Sequence, residues 1–245
     1  MTCIAAVKKA GQVVIGGDSL LSTGSDKKAG VRKITKFPGC YVGFAGMYAI
    51  RHVLDNLARD KDFLSSFKMD CIEDARDLAR RVFEELETDV GEKARDDINE
   101  TALLVATSTQ IFEIDSDITC VEHDDYTAIG SGARPAKAVF EVLNTNFPLT
   151  PPRECVTIAL EVATKLDLLC GGPYYVYEVE NESAPAPRPP RTPRNGSKPT
   201  KSPRTPKSRT GSTIRNISGM SESDSPPGST GKSGPKYKIP KRSNS

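Results

Sequence analysis

Thr2-Cys3-Ile4-Ala5-Ala6-Val7-Lys8-Lys9-Ala10-Gly11-Gln12-Val13-Val14-Ile15-Gly16-Gly17-Asp18 follows directly on Met1. Two apolar runs, Ile4 to Val7 and Val13 to Ile15, flank Lys9-Ala10-Gly11, which reads as a β-hairpin. Thr2 stands at its entrance. A threonine with a free N-terminus carries a hydroxyl nucleophile and an α-amine on one carbon skeleton. That amine has an ordinary pKa of about 7.7–8.0, so a useful fraction is neutral near pH 7 and able to take the hydroxyl proton. The chemistry requires loss of Met1, since otherwise the amine is tied up in a peptide bond. A Met-Thr start is common, and it carries weight only when residues elsewhere in the chain fit the same chemistry.

Outward from this hairpin, Arg32 to Phe37 and Cys40 to Ala45 read as strands around the turn pair Pro38-Gly39. From Gly46 the period changes to helical: Ile50, Val53, Leu54 and Leu57, then Ile72, Ala75, Ala79, Val82, Phe83, Leu86 and Val90. Strands return at Ala102 to Thr107, Gln110 to Asp115 and Tyr126 to Ile129. Two more helices follow, one striped by Ala136, Val139, Phe140 and Leu143 with Pro135 in its first turn, the other over about Arg153 to Cys170. The second is apolar around much of its circumference and expects cover on both sides. Tyr174 to Val179 closes the series as a strand. Segregated blocks of strands and helices point to an α+β fold of packed antiparallel sheets covered by helix layers, not to a parallel α/β fold.

Composition divides the chain near Ser183. Of 34 Lys and Arg and 32 Asp and Glu, Ser183 to Ser245 holds 14 and two, leaving 20 and 30 before it. The near-neutral total therefore describes neither part. Twelve of the 18 prolines also lie in this stretch. Its apolar residues are too few to offset the entropy of ordering it, so 183–245 is expected to be a disordered basic tail behind a domain at 2–180. Arg191-Thr192-Pro193-Arg194 and Lys201-Ser202-Pro203-Arg204 can bind nucleic acid or acidic surfaces through charge alone. A single aromatic, Tyr237, gives no basis for base stacking. Gly228-Ser229-Thr230-Gly231-Lys232-Ser233 is no phosphate loop, because Pro226 takes the place of its first glycine. Six scattered cysteines without a C-x-x-C pair and two distant histidines disfavour a structural metal. With no secretory pattern and no apolar run of about 20 residues, the expectation is a cytoplasmic protein without membrane contact.

Four further segments join the opening stretch: Val31-Arg32-Lys33-Ile34, Gly43-Phe44-Ala45-Gly46, Ile129-Gly130-Ser131-Gly132 and Asp167-Leu168-Leu169-Cys170-Gly171-Gly172. Together, and in this order over about residues 2–180, they resemble the proteasome β-subunit and HslV family of threonine peptidases. The resemblance implies the four-layer αββα sandwich of N-terminal nucleophile hydrolases. It also implies that Thr2 is the nucleophile, Asp18 and Lys33 a buried pair beside it, and Gly46 an oxyanion donor. Ser131 and Asp167 would orient the amine and hydroxyl, and Phe44 and Met47 would border the substrate pocket, Phe44 hinting at apolar residues before the cleaved bond. No cofactor is implied beyond a structural monovalent cation near Thr164, Asp167 and Cys170. The implied partners are further copies in homo-oligomeric stacked rings, an AAA+ ATPase unfoldase, and unfolded protein substrates.

This chain departs from the family pattern at three places. Cys3 stands where HslV commonly has a second Thr, Met47 where a second Gly is common, and Cys170 where the motif has Ser, a better hydrogen-bond donor than a thiol. Three other readings stay open on the residues alone: a non-catalytic structural subunit, an amidase acting on a small molecule, and a binding module whose tail engages the partner.

Overall fold

The computed structural model describes residues 2–23, 26–91 and 95–180. The expected tail at 183–245 lies outside them. In chain order they form β1 (Ile4–Lys9), β2 (Gln12–Gly17), the short hairpin β3 (Leu21–Thr23) and β4 (Asp26–Lys28), β5 (Ile34–Phe37) and β6 (Cys40–Ala45). Four helices follow: α1 (Ile50–Leu57), α2 (Lys61–Ser66), α3 (Ile72–Val90) and α4 (Arg95–Asn99). Then come β7 (Ala102–Thr107), β8 (Ile111–Asp115), β9 (Cys120–His123), β10 (Tyr126–Ile129), α5 (Ala133–Asn146), α6 (Pro152–Leu166) and β11 (Tyr175–Glu178).

The opening hairpin forms as its pattern dictates, with Ile4 opposite Gly17 and Lys9 opposite Gln12. β10 and β11 join its two edges, so one sheet runs β10-β1-β2-β11 and a second runs β5-β6-β7-β8-β9, with neighbours antiparallel throughout. The period-two alternation of each strand decides the layering. In β1, Ile4 and Ala6 join Leu104, Ala106, Ile111 and Ile129 in the core between the sheets. Ala5 and Val7, one residue out of phase, pack with Phe140 of α5 and Val156 and Leu160 of α6. In the second sheet, Val42, Phe44, Leu103 and Val105 face α1 and α3, against Val53, Leu54, Ala79 and Val82. The result is helices, sheet, sheet, helices, the αββα sandwich. Each fully buried Leu, Ile or Phe side chain contributes about 1.5–3 kcal/mol of hydrophobic stabilisation, and three such cores hold the layers together.

α3 shows how the local sequence sets an element. Asp74 at its third position accepts the Asp70 and Cys71 N–H groups at 2.8 and 3.2 Å, starting the helix. Ala75, Leu78, Ala79, Val82, Phe83 and Leu86 then bury one face.

Several boundaries differ from the expectations. β5 begins at Ile34 rather than Arg32. α6 ends at Leu166, four residues before Cys170, because Asp167 turns to extended backbone and its carboxylate accepts the Leu169 N–H at 2.9 Å. The cover expected on both sides of α6 is one-sided, its buried residues being Pro152, Cys155, Val156, Ala159, Leu160 and Ala163. α2, α4, β9 and the β3–β4 hairpin have no counterpart in the periodicity, since each is short. No helix among the described residues is long and apolar enough to cross a membrane.

Candidate active site

At the end of the opening hairpin, Asp18 leaves β2 and turns its carboxylate back under the start of β1. Its Oδ1 accepts the Cys3 N–H at 3.0 Å and the Lys33 ammonium at 2.8 Å. Oδ2 accepts the Leu20 and Gly171 N–H groups, each at 3.1 Å. Lys33, just before β5, also donates to the Leu20 carbonyl at 2.7 Å. The pair is almost entirely sheltered from solvent, at 2% and 0% side-chain exposure for Lys33 and Asp18. Thr2 immediately precedes the amide that Asp18 holds and is itself buried. Asp18 therefore ties the Thr2–Cys3 peptide to Lys33 and to the loop after α6.

Gly46 lies where β6 gives way to the turn before α1, at φ +110°, in the region that favours glycine. A Cβ there would sit 2.6 Å from the Thr101 Cα. Beneath it the Thr101 hydroxyl accepts the Met47 N–H at 3.1 Å and donates to the Asp97 carbonyl at 3.0 Å. Gly130, at φ +88°, closes on the Thr2 carbonyl so tightly that a Cβ would strike it. The next turn residue but one, Gly132, donates its N–H to that carbonyl at 3.3 Å. Thr2, Gly46, Met47 and Ser131 border one pocket of about 470 Å³.

Behind the pocket, Asp167 caps α6. Partial burial raises the pKa of its carboxyl, but the Ser131 hydroxyl, the Leu169 N–H and the Cys170 thiol together hold it below the ordinary value. The Cys170 thiol donates to Asp167 Oδ2 at 3.3 Å and lies 4.0 Å from the Ser131 hydroxyl. Burial, then the negative charge of Asp18 and the bond to Asp167, push that thiol up to about 12, so it stays neutral. Burial raises the Cys3 thiol too, reinforced by Cys170, Asp18 and Asp167. Neither cysteine offers a thiolate at neutral pH.

The model of one family, described as proteasome subunit, matches residues 1–172. The chain belongs to the proteasome subunit family. Similar solved structures include BPH of Thiobacillus denitrificans, 19% identical over 73% of this chain and 97% of that one, with a TM-score of 0.62. Eukaryotic HslV from Trypanosoma brucei is 23% identical over 73% and 99% of the two chains, at a TM-score of 0.58. Anbu from Yersinia bercovieri is 18% identical over 72% and 81%, at 0.57. At these identities the three share the fold with this chain.

Within this proteasome-subunit framework the structure gathers Thr2, Asp18, Lys33, Gly46, Met47, Ser131, Asp167 and Cys170 around one end of the sandwich. Phe44, the residue before Ala45 on β6, is 1% exposed and packs on the helix side of the strand, 6.3 Å between ring centroids from Tyr48. Strand alternation explains this: Phe44 and Ala45 point to opposite faces, and Ala45 is the one that lines the pocket. Thr164 donates its hydroxyl to the Leu160 carbonyl of its own helix at 2.9 Å. With that hydroxyl so engaged and a neutral thiol at Cys170, the lone pairs that Asp167 keeps beyond its two internal bonds are what these side chains would offer a monovalent cation. No step is routed through one.

Sequence reading missed Thr101, Asp97 and Glu100. A lone threonine between two helical and strand patterns carries no signal, and only the folded contact with Gly46 and Met47 shows what it supports.

Proposed function

We propose that this proteasome-family subunit is a threonine endopeptidase, with Thr2 freed by removal of Met1. The observation that carries the reading is the buried Asp18–Lys33 pair held against the Thr2–Cys3 peptide, at the mouth of a pocket bordered by Gly46 and Ser131. The Lys33 charge, fixed by Asp18, favours the neutral form of the nearby α-amine. The amine takes the proton from Thr2 Oγ as that oxygen attacks the peptide carbonyl. Negative charge on the carbonyl oxygen is met by the Gly46 N–H, a contact of the kind whose loss costs about 10²–10³ in rate. The carbon–nitrogen bond then breaks, the amine passes its proton to the leaving peptide amine, and water releases the acyl group from Thr2. Ser131 and Asp167 orient the amine and hydroxyl through their own hydrogen bonds.

A site this open to any extended peptide needs restricted access. The reading therefore includes stacked homo-oligomeric rings with the pockets inside, fed with unfolded protein by an AAA+ ATPase in the cytoplasm. The resemblance to HslV of Trypanosoma brucei supports this arrangement. The Thiobacillus protein is also known in complex with epoxomicin, which suggests the probe. Intact mass of the full chain is measured before and after treatment with that epoxyketone. The expected result is loss of Met1 and one adduct per chain, absent in Thr2→Ala. A chain that keeps Met1, or a Met-free chain that takes no adduct, is a structural subunit instead.

A further inference from the structure

Two carboxylates, Asp97 and Glu100, line the same pocket as Thr2, Gly46 and Ser131, and none of the described residues lining it is basic. Their backbone is not free to drift from the site. The Asp97 carbonyl accepts the Thr101 hydroxyl, and that hydroxyl accepts the Met47 N–H. Thr101 also donates its own N–H to the Ile98 carbonyl at 2.9 Å and is 1% exposed. The turn carrying both acids is thus bonded to the turn carrying Gly46. The neighbouring wall is apolar, made by Ala45, Met47 and Ala102.

A side chain entering such a pocket meets an aliphatic wall and two carboxylates. Lysine and arginine match both, laying their methylene stems on apolar surface and carrying a cation to a polar rim. An acidic side chain is repelled, and an apolar one strips water from the carboxylates without replacing it. The acidic excess of the chain before Ser183, 30 acids to 20 bases, adds a field of the same sign. We propose that Asp97 and Glu100 make this peptidase select bonds flanked by Lys or Arg. The inference rests on the Thr2 peptidase reading.

The test is digestion of a mixed library of short unstructured peptides, which need no unfoldase, with the cut sites read by mass spectrometry. Lys or Arg is expected to be enriched about tenfold at a residue adjoining the cut, equivalent to ~1.4 kcal/mol. The double variant Asp97→Asn, Glu100→Gln, isosteric and on exposed side chains, loses most of that enrichment. Glu100→Lys moves it toward Asp and Glu. Epoxomicin labelling of Thr2 runs alongside on every variant. Cutting by a labelled wild-type chain without basic enrichment, or enrichment that survives the double variant, overturns this inference and leaves the peptidase reading standing. Absence of both cutting and labelling in the wild type overturns the two together.

Discussion

Four donors converge on Asp18: the Cys3, Leu20 and Gly171 N–H groups and the Lys33 ammonium. Their removal is not symmetric between the partners of the pair. In Lys33→Met the carboxylate keeps three backbone donors and the stem volume is nearly retained. In Asp18→Asn a buried ammonium loses its counter-charge, and an amide NH₂ is turned toward groups that are themselves donors. Losing one partner of a buried pair costs about 3–5 kcal/mol. Asp18→Asn is therefore expected to fall in that range or lose its fold, while Lys33→Met loses distinctly less but takes no epoxomicin adduct. Urea denaturation followed by circular dichroism, with mass spectrometry of the labelled chain, separates the two effects. Equal destabilisation by both would mean that the backbone donors contribute little to holding Asp18. The pairing of Asp18 with Lys33 beside Thr2 was legible as a motif in sequence. The direction in which Phe44 points was not, because one step along a strand exchanges its two faces.

The element-level question is what holds the β6–α1 turn in shape. α1 itself starts only at Ile50, with no side-chain cap at Ala49, and its Arg51 and His52 N–H groups bond the Tyr48 and Ala49 carbonyls, so the Gly46–Met47 end of the turn is held otherwise. Its support comes instead from the entrance of β7, through the Thr101 hydroxyl to the Met47 N–H. Thr101→Val keeps the shape and removes that acceptor, leaving a part-buried N–H unmatched at a cost of about 1–3 kcal/mol. The expected outcome is a drop of about tenfold or more in the rate of epoxomicin labelling, with the thermal midpoint lowered by several degrees. Thr101→Ser, which restores the hydroxyl, should recover the labelling rate. If Ser and Val behave alike, the hydroxyl has no part in positioning Gly46. The long elements α3, β6 and β7 were readable from period and length. α2, α4 and β9 were not, since a few residues supply no complete period.

At the scale of the whole molecule, the described residues by themselves fill three cores that reach as far as Val179. Truncation after Glu180 is expected to leave the thermal midpoint within about 2 °C, no more than the shift that about 1 kcal/mol produces in a domain of this size, and to leave Thr2 labelling intact. The same truncation should abolish salt-sensitive retention on a polyanionic resin, because the remaining body is acidic. Loss of labelling on truncation would instead tie the tail to the site.

Apolar period and order of strand and helix blocks were enough, by themselves, to determine an α+β fold of antiparallel sheets covered by helices, because each strand must bury its two faces in different layers and each helix its single stripe. The motif resemblance supplied the αββα order. Motif order was enough to name Thr2, Asp18 and Lys33 as a set. Tertiary structure alone decided which side chains enter the pocket, placing Ala45, Met47, Asp97 and Glu100 there and Phe44 behind the sheet. The physical reason is that pocket walls are assembled from turns distant in sequence. Their approach is governed by a few close contacts, such as Gly46 on Thr101 and Gly130 on Thr2, that leave no periodic trace in the chain.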